Sequence, residues 1–597
     1  MLHYRPPIAE YLFLLRDVFK IREYSHLQGY PDLDFNLIES IFEEAATLSR
    51  EVLLPINGQG DRQSCSLDRE GRVTTPQGFK EAYRIYREAG WTGLGVPEAQ
   101  GGQNLPKIVT TAVLEFFGAS NQAFDMYCGW GDSAATILGQ YGSPALKELF
   151  LPRLVSGEWS GSMALTEAQA GTDVGLIKTT ASPQANGTFR LNGTKVFNSG
   201  AEHDLTSNIV HFVLARVQGA LPGVRGLSLF LAPTFMVDAD GESTSRNGIT
   251  CAAIESKMGL HGSATCEMQY TDAGAYLVGE LNQGLTVMFR LMNHMRRRVG
   301  AIAVGVSELA YQNAREYVAG RLQGRAPSTT TRASETHADP LLEQPDVKRC
   351  LLQIAAFNEG ARALLVWSSL LMDISERSSD ASERHDAELR YAFLTPVLKG
   401  FLSDGAFANC VTAQQLYGGY GYVAGTGIEQ LVRDVRLLSI AEGANGVQAF
   451  DLVSRQLRKG RGVAFRAIAA GIGRQIEQSS GGPSTVELAN REAAALAEWE
   501  RASMLLADPA LSQAAVGIAS SDYLYMTGLV LLGFMWLHIT SSVRSGSYDA
   551  ERGDDDRSRR LLRAQVFMER LLPETALRLR RIEESVLNLA MWPSHLV

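Results

Sequence analysis

The sequence predicts an α+β chain in which a helical N-terminal region, a small β-domain and two further helical blocks follow one another. Three observations predict it. Apolar residues recur at helical spacing up to about residue 160; alternating, β-branched runs with tight-turn dipeptides fill about 161–282; and long apolar-periodic segments return from about 284. At 597 residues the chain is too long for one ordinary core. The expected domains are 1–160, 161–282, 283–460 and 461–597.

In the first region Leu37, Ile38, Ile41 and Phe42, then Ala45, Ala46 and Leu48, share a helical stripe with Glu43 and Glu44 outward. Ser143-Pro144 opens another helix, because serine caps an N-terminus well and proline is tolerated at the first helical position. The run from Gly90 to Pro97, with Gly101-Gly102, reads as a loop.

Strand patterning follows. Asn186-Gly187 and Asn192-Gly193 are hairpin dipeptides, since both central positions of the favoured turn take positive φ. Phe189 and Leu191 alternate before the second, Val196 follows it, and 209–217 and 227–232 are further β-rich runs. Helices return over 285–321, 347–374 and 389–416, separated by a Ser/Thr/Ala/Pro-rich stretch at 325–340 that reads as a mobile loop. A basic link after Leu457 and the Ser/Gly/Pro run 479–484 mark a boundary before a last helical block.

Composition narrows the function classes. The chain is 45% hydrophobic and 20% charged with net charge −9, which speaks against a general nucleic-acid or anionic-membrane binder. The short basic runs 296–298 and 455–461 read as helix faces. Six cysteines without close pairs suit neither a zinc site nor a disulfide framework, and fit a reducing compartment. The N-terminus lacks the pattern of a secretory signal, so a cytoplasmic location is expected. The apolar run 523–539 contains Gly528, Gly533 and His538 and reads as a buried bundle helix rather than a membrane span. No metal-ligand spacing and no Gly-x-Ser-x-Gly elbow occurs.

Three segments could carry chemistry. Glu442, in Ile440-Ala441-Glu442-Gly443-Ala444-Asn445-Gly446, is a carboxylate at an element boundary where glycines let backbone approach a ligand. Met163 to Val174, where helices hand over to strands, supplies small residues and hydroxyls for a flat polar ligand. Gln415 to Tyr422 is glycine-rich but does not match the dinucleotide-binding pattern. Taken singly, each reads first as a cap, a connector or a turn.

Together and in this order, these segments resemble the acyl-CoA dehydrogenase family over most of residues 35–457. Residues 4–7, Ala201 to Thr206 and Lys257 to Leu260 resemble its long subfamily, which has an N-terminal extension and an extra C-terminal helical domain and includes 3-methylmercaptopropionyl-CoA dehydrogenases. The resemblance implies a middle β-barrel-like domain and a C-terminal four-helix bundle. It implies FAD as cofactor, an acyl-CoA thioester as substrate, Glu442 as catalytic base, and desaturation of the fatty-acid β-oxidation type. Met163, Leu165, Thr166, Gly171, Thr172, Phe197, Ser199 and Asn445 match cofactor-binding positions. Thr172, Asn293 and Arg296 match positions near the substrate and its CoA portion. Arg321, Gln415, Gly418 and Gly419 match residues that reach the FAD of a neighbouring subunit, so a homodimer sharing FAD is implied, with an electron-transfer flavoprotein as acceptor. The chain departs from the family at Ala441 and Ala444, where tyrosine and threonine are usual. A straight-chain acyl-CoA is the broad expectation and a sulfur-containing short acyl-CoA the subfamily alternative. An acyl-CoA oxidase and a non-catalytic relative serving as a binding protein are the competing readings.

Overall fold

The computed structural model describes residues 2–238, 240–327, 337–479, 483–544 and 553–588. The centre of the 325–340 stretch and residues 480–482 of the 479–484 run lie outside these residues. In chain order the helices begin with α1 (Ile8–Phe13), α2 (Phe35–Leu48), α3 (Leu54–Gln63), α4 (Phe79–Glu88), α5 (Lys107–Ser120), α6 (Gln122–Tyr141) and α7 (Pro144–Val155). A short ribbon, β1 (Ser66–Leu67) and β2 (Val73–Thr74), interrupts this otherwise helical region. Then come β3 (Trp159–Ala164), β4 (Thr180–Pro183), β5 (Phe189–Ser199), β6 (Asn208–Val217), β7 (Leu227–Pro233), β8 (Phe235–Val237), β9 (Ser243–Arg246), β10 (Ile249–Ile254) and β11 (Thr265–Val278). The remainder is helical: α8 (Gly284–Gly320), α9 (Pro345–Arg377), α10 (Ala381–Leu416), α11 (Ile428–Ile440), α12 (Asn445–Asp451), α13 (Val463–Gln478), α14 (Pro483–Ala507), α15 (Gln513–Arg544), α16 (Gly553–Val566) and α17 (Glu574–Asn588).

Local signals place many of these boundaries. Ser143 caps α7 by accepting from the Leu146 N–H, and Asn121 caps α6 by accepting from Phe124. In α2 the buried stripe is Ile38, Phe42, Ala45 and Ala46, while Leu37 faces solvent. The link expected after Leu457 is shorter than it reads, because α13 fills most of it.

The chain divides into two compact units. One comprises residues 47–105 and 120–298. Its strands β11, β5, β4, β6 and β7 pair in a closed circuit, so the sheet is barrel-like, with β3 parallel to β6 and β10 antiparallel to β11 at its margins. Closure leaves those five strands no open edge. Strand β6 is buried on both faces. Val213 and Ala215 point into the barrel with Leu191, Phe230, Ala232 and Met268, while Val210, Phe212 and Leu214 pack outward with side chains of α6 and α7.

Both expected hairpin turns differ in the structure. Only Gly187 takes positive φ in the turn between β4 and β5, a five-residue loop rather than a two-residue turn. Asn192-Gly193 is no turn: it lies inside β5. A side chain at Gly193 would collide with Thr179, so the glycine serves close approach, and the Asn192 side chain accepts from the Asp272 N–H across a register shift with β11.

The second unit comprises residues 1–46, 106–119 and 299–597. Helices α9, α10 and α15 pack together at its centre. A side chain at Gly528 of α15 would collide with Phe401, and one at Gly360 would press on Trp536, whose indole N–H donates to the Ala356 carbonyl at 3.1 Å. The apolar α15 is long and apolar enough to cross a membrane, yet 83% of its most apolar window is buried within the protein. Side chains of α16 and α17 fasten this block: Arg560 pairs with Glu10 at 2.8 Å with its guanidinium 3.9 Å over the Phe13 ring, and Arg578 pairs with Asp522 at 2.7 Å.

Candidate active site

The β-containing unit brings Met163, Leu165, Thr166, Phe197 and Ser199 together. Strand β3 ends at Ala164, and the chain then turns tightly, with Glu167 and Ala170 exchanging backbone bonds of 3.1 and 2.9 Å. Strand β5 runs beside this turn. Its pairing with β11 shifts at Val196 and Phe197, where a bulge replaces a regular rung. The freed Val196 N–H donates to the Thr166 carbonyl at 2.9 Å, and Phe197 adopts φ +58 and is 63% exposed. Left-handed backbone costs a non-glycine residue on the order of 1 kcal/mol, so the barrel holds the aromatic ring outward against a local preference. Asn198 turns inward and is buried, donating weakly to Cys266 O at 3.4 Å, while the Ser199 carbonyl accepts from Ser162 at 3.0 Å.

Beneath this surface lies a buried ion pair. Lys195 Nζ donates to Glu167 Oε1 at 2.9 Å and to the Leu165 carbonyl at 3.0 Å. The Glu167 carboxylate also accepts from the Lys178 and Thr179 N–H groups, the Thr179 hydroxyl and Gln169. Burial pushes the Lys195 ammonium down to about 8 despite the pull of Glu167. Burial alone would raise Glu167, but Lys195 and the Thr179 and Lys178 donors hold it at about 2. Burial thus disfavours the charged lysine, while the lysine and the surrounding donors favour the charged glutamate. Neither residue is singled out by the sequence reading. The available signal was a lysine in the inward phase of a strand whose other members are Phe189 and Leu191.

Two further groups of expected positions lie in this unit. Gly171 and Thr172 are exposed, with open space where a Gly171 side chain would be. On α8, Arg296 is buried and donates to Asn293 at 3.0 Å.

The helical unit places Glu442 in the link between α11 and α12. Glu442 and Gly443 both take left-handed backbone, φ +57 and +89. The turn is anchored by the next residue but one. Asn445 donates to the Gly400 carbonyl and the Ser403 hydroxyl, each at 3.0 Å, and accepts from Lys399 at 2.7 Å. Its amide therefore fastens the Glu442 turn to α10. Ala444 occupies the N-cap of α12 and offers no side-chain cap. Elsewhere in this unit the Arg321 guanidinium lies 6.0 Å from the Tyr420 ring, next to the exposed Gly418-Gly419 turn that follows Gln415. Tyr417 stacks on Tyr317 at 4.2 Å. Among the described residues, no cluster of His, Cys, Asp and Glu could hold a metal.

Known proteins share this order of parts. The N-terminal, middle and C-terminal domains of acyl-CoA dehydrogenases match residues 43–158, 162–273 and 282–457, and the acetyl-CoA dehydrogenase C-terminal-like domain matches 466–591. The chain is 34% identical over 585 residues to the 3-methylmercaptopropionyl-CoA dehydrogenase of Ruegeria pomeroyi, covering 98% of each. It belongs to the acyl-CoA dehydrogenase family. The broad-specificity linear acyl-CoA dehydrogenase FadE5 of Mycobacterium tuberculosis is 32% identical, with 94% of this chain and 93% of that one covered. A crystal structure of an acyl-CoA dehydrogenase complexed with FAD from Bacillus anthracis shares the fold at TM-score 0.76 and 20% identity, over 96% and 92% of the two chains. Within the family's plan, the N-terminal helices, the barrel-like middle domain and the helices after it are the common body, and α13 to α17 are the extra C-terminal helices.

Proposed function

We propose that this chain is an FAD-dependent acyl-CoA dehydrogenase that desaturates an acyl-CoA thioester between its α and β carbons, with Glu442 as the base. The observation that carries the assignment is the left-handed Glu442-Gly443 turn, locked to α10 through Asn445. A carboxylate in disfavoured backbone, in a turn anchored three residues on by the three hydrogen bonds of Asn445, is a positioned group.

The residues fit the cofactor. Phe197 presents an exposed ring on a bulge, beside a backbone turn whose carbonyls at 165 and 166 are already engaged from below. Met163, Leu165, Thr166, Phe197 and Ser199 would hold the flavin. No side chain fills the space at Gly171, Gly418 or Gly419. Bound FAD supplies the acceptor for the hydride that leaves the β-carbon. Glu442 takes the α-proton, and the electron pair of that C–H bond becomes the new C=C bond. A water-poor site with hydrogen bonds to the thioester oxygen is needed to make so weak a carbon acid reactive.

Several finer readings go with this one. Arg321, Gln415, Gly418 and Gly419 would reach the FAD of a second copy, and the exposed Tyr420 and Tyr422 beside them suit a homodimer. The extra C-terminal helices would cover the face that tetrameric relatives use for a further contact, limiting assembly to a dimer. An electron-transfer flavoprotein would reoxidise the cofactor, the cell compartment would be the cytoplasm, and fatty-acid β-oxidation the setting. Two relatives frame the substrate, since their names specify a sulfur-containing short acyl-CoA and linear acyl-CoAs. Anaerobic titration of the flavin-loaded protein with acyl-CoAs of different length and with 3-methylmercaptopropionyl-CoA tests the assignment. Bleaching of the flavin band by one class names the substrate, and no bleaching by any of them overturns it.

A further inference from the structure

We infer that Lys195 is a positioning residue for the flavin-facing surface: with Glu167 it ties the turn after β3 to the strand that carries Phe197 and Ser199. The inference rests on the reading of those residues as flavin-facing given above.

The ties run in step. Leu165 is bonded through its carbonyl to Lys195 Nζ, Thr166 through its carbonyl to the Val196 N–H, and Glu167 through its carboxylate to Lys195 again. Three consecutive residues of the turn are thus stitched to two consecutive residues of β5. Phe197 follows at once, at the bulge. The Thr179 N–H and hydroxyl grip the same Glu167 carboxylate from the other side, and Thr179 in turn closes on Gly193 of β5. The turn is fixed by one carboxylate and one ammonium, both almost wholly out of water.

Buried ion pairs contribute little net stability compared with apolar replacements of the same shape. What an apolar replacement cannot supply here is the bond to the Leu165 carbonyl. Without it the carbonyl is left unbonded by its lysine and the turn is free to shift relative to Phe197. A shift of the order of 1 Å in a supporting shell is enough to degrade a site. The pair therefore acts on geometry.

The test uses the full-length, FAD-loaded protein and its variants Lys195→Met, Lys195→Arg and Glu167→Gln. FAD affinity, the visible spectrum of the bound flavin, kcat and KM for a reducing acyl-CoA, and melting temperature are read on each. Lys195→Met is expected to weaken FAD binding by about tenfold or more and to move the flavin absorption bands, since a bond from a charged donor is lost. KM is expected to stay within about threefold. Lys195→Arg is expected to restore part of both the affinity and the spectrum. Glu167→Gln, which keeps shape and volume, is expected to act in the same direction, and it carries the test if Lys195→Met does not fold. Variants that differ from wild type only in melting temperature, with affinity, spectrum and kcat unchanged, would overturn the inference. A wild-type protein that binds FAD but is reduced by no acyl-CoA overturns the proposed function alone, and affinity and spectrum still decide the role of Lys195.

Discussion

The side-chain amide of Asn313 pairs with the backbone of His3 as a neighbouring strand would, accepting from its N–H at 2.9 Å and donating to its carbonyl at 2.7 Å. Gln312 does the same for Arg5, at 2.9 Å in both directions. Two adjacent residues of α8 thereby hold the chain's first residues in an extended strap. The Asn313 carbonyl also accepts from Tyr417 at 3.1 Å, and Leu2 rests against Gly427. The strap thus bears on the segment that carries Gly418 and Gly419.

Replacing Asn313 with leucine removes both bonds to His3 from a buried position and leaves the strap's N–H and C=O groups to water or to nothing. A loss of about 2–3 kcal/mol is expected, and less for Gln312→Leu, whose bonds are exposed. Chemical denaturation of the two variants checks the order. Equal effects, or a larger one at Gln312, would show that the strap is not held as described.

Glu442 gives a prediction in which activity and stability part company. Glu442→Gln is expected to lower kcat by about a thousandfold or more with FAD retained, the scale of losing a proton-transfer group. Glu442→Gly is equally inactive but removes the side chain from a backbone at φ +57, and is expected to raise stability by about 0.5–1 kcal/mol. Calorimetry and flavin reduction on the same two samples decide it. An active Glu442→Gln enzyme would remove this residue as the base.

The N-cap of α12 can be improved. Ala444 has the extended backbone of a capping residue, φ −50 and ψ 148, but no side-chain oxygen. Ala444→Thr supplies one, and a gain of about 1 kcal/mol is expected in thermal unfolding. An unchanged or lowered melting temperature would mean that the hydroxyl does not reach the first turn.

Glu492 on α14 sets a pH dependence. Its carboxyl is fully buried against Gly533 of α15, and among the described residues neither oxygen has a hydrogen-bond partner. Burial alone raises its pKa well above the ordinary carboxylate range. The folded protein therefore holds this proton more tightly than the unfolded chain. The stability it allows is fully present below the unfolded carboxylate value and is lost as pH rises toward the folded one. Glu492→Met is expected to be worth about 1–3 kcal/mol at pH 8 and to show a smaller gain at pH 5. Melting curves at the two pH values measure this, and a gain independent of pH would assign the effect to packing alone.

Much of this protein is legible along the chain. Periodicity and turn residues were enough for the helix–strand–helix order, because amphipathic spacing and caps act within a few residues. Ser143-Pro144 starts α7 for that reason, and the apolar run read as a bundle helix is α15, most of whose apolar window is buried within the protein. The order of the three chemistry-bearing segments also lies in the sequence, as does the family they resemble.

What the sequence could not determine is what residues far apart do to one another. Asn192-Gly193 has the composition of a hairpin turn and becomes strand interior, because β11 and Thr179 close on it. Lys195 looks like a charge out of phase until Glu167, 28 residues earlier, is found beside it. The bulge that turns Phe197 outward exists only in the pairing of β5 with β11, and the His3 strap only through an amide 310 residues away. Local propensity fixes elements to within a turn or so. Register, bulges and buried pairs are set by contacts whose energies appear only once the strands and helices have met.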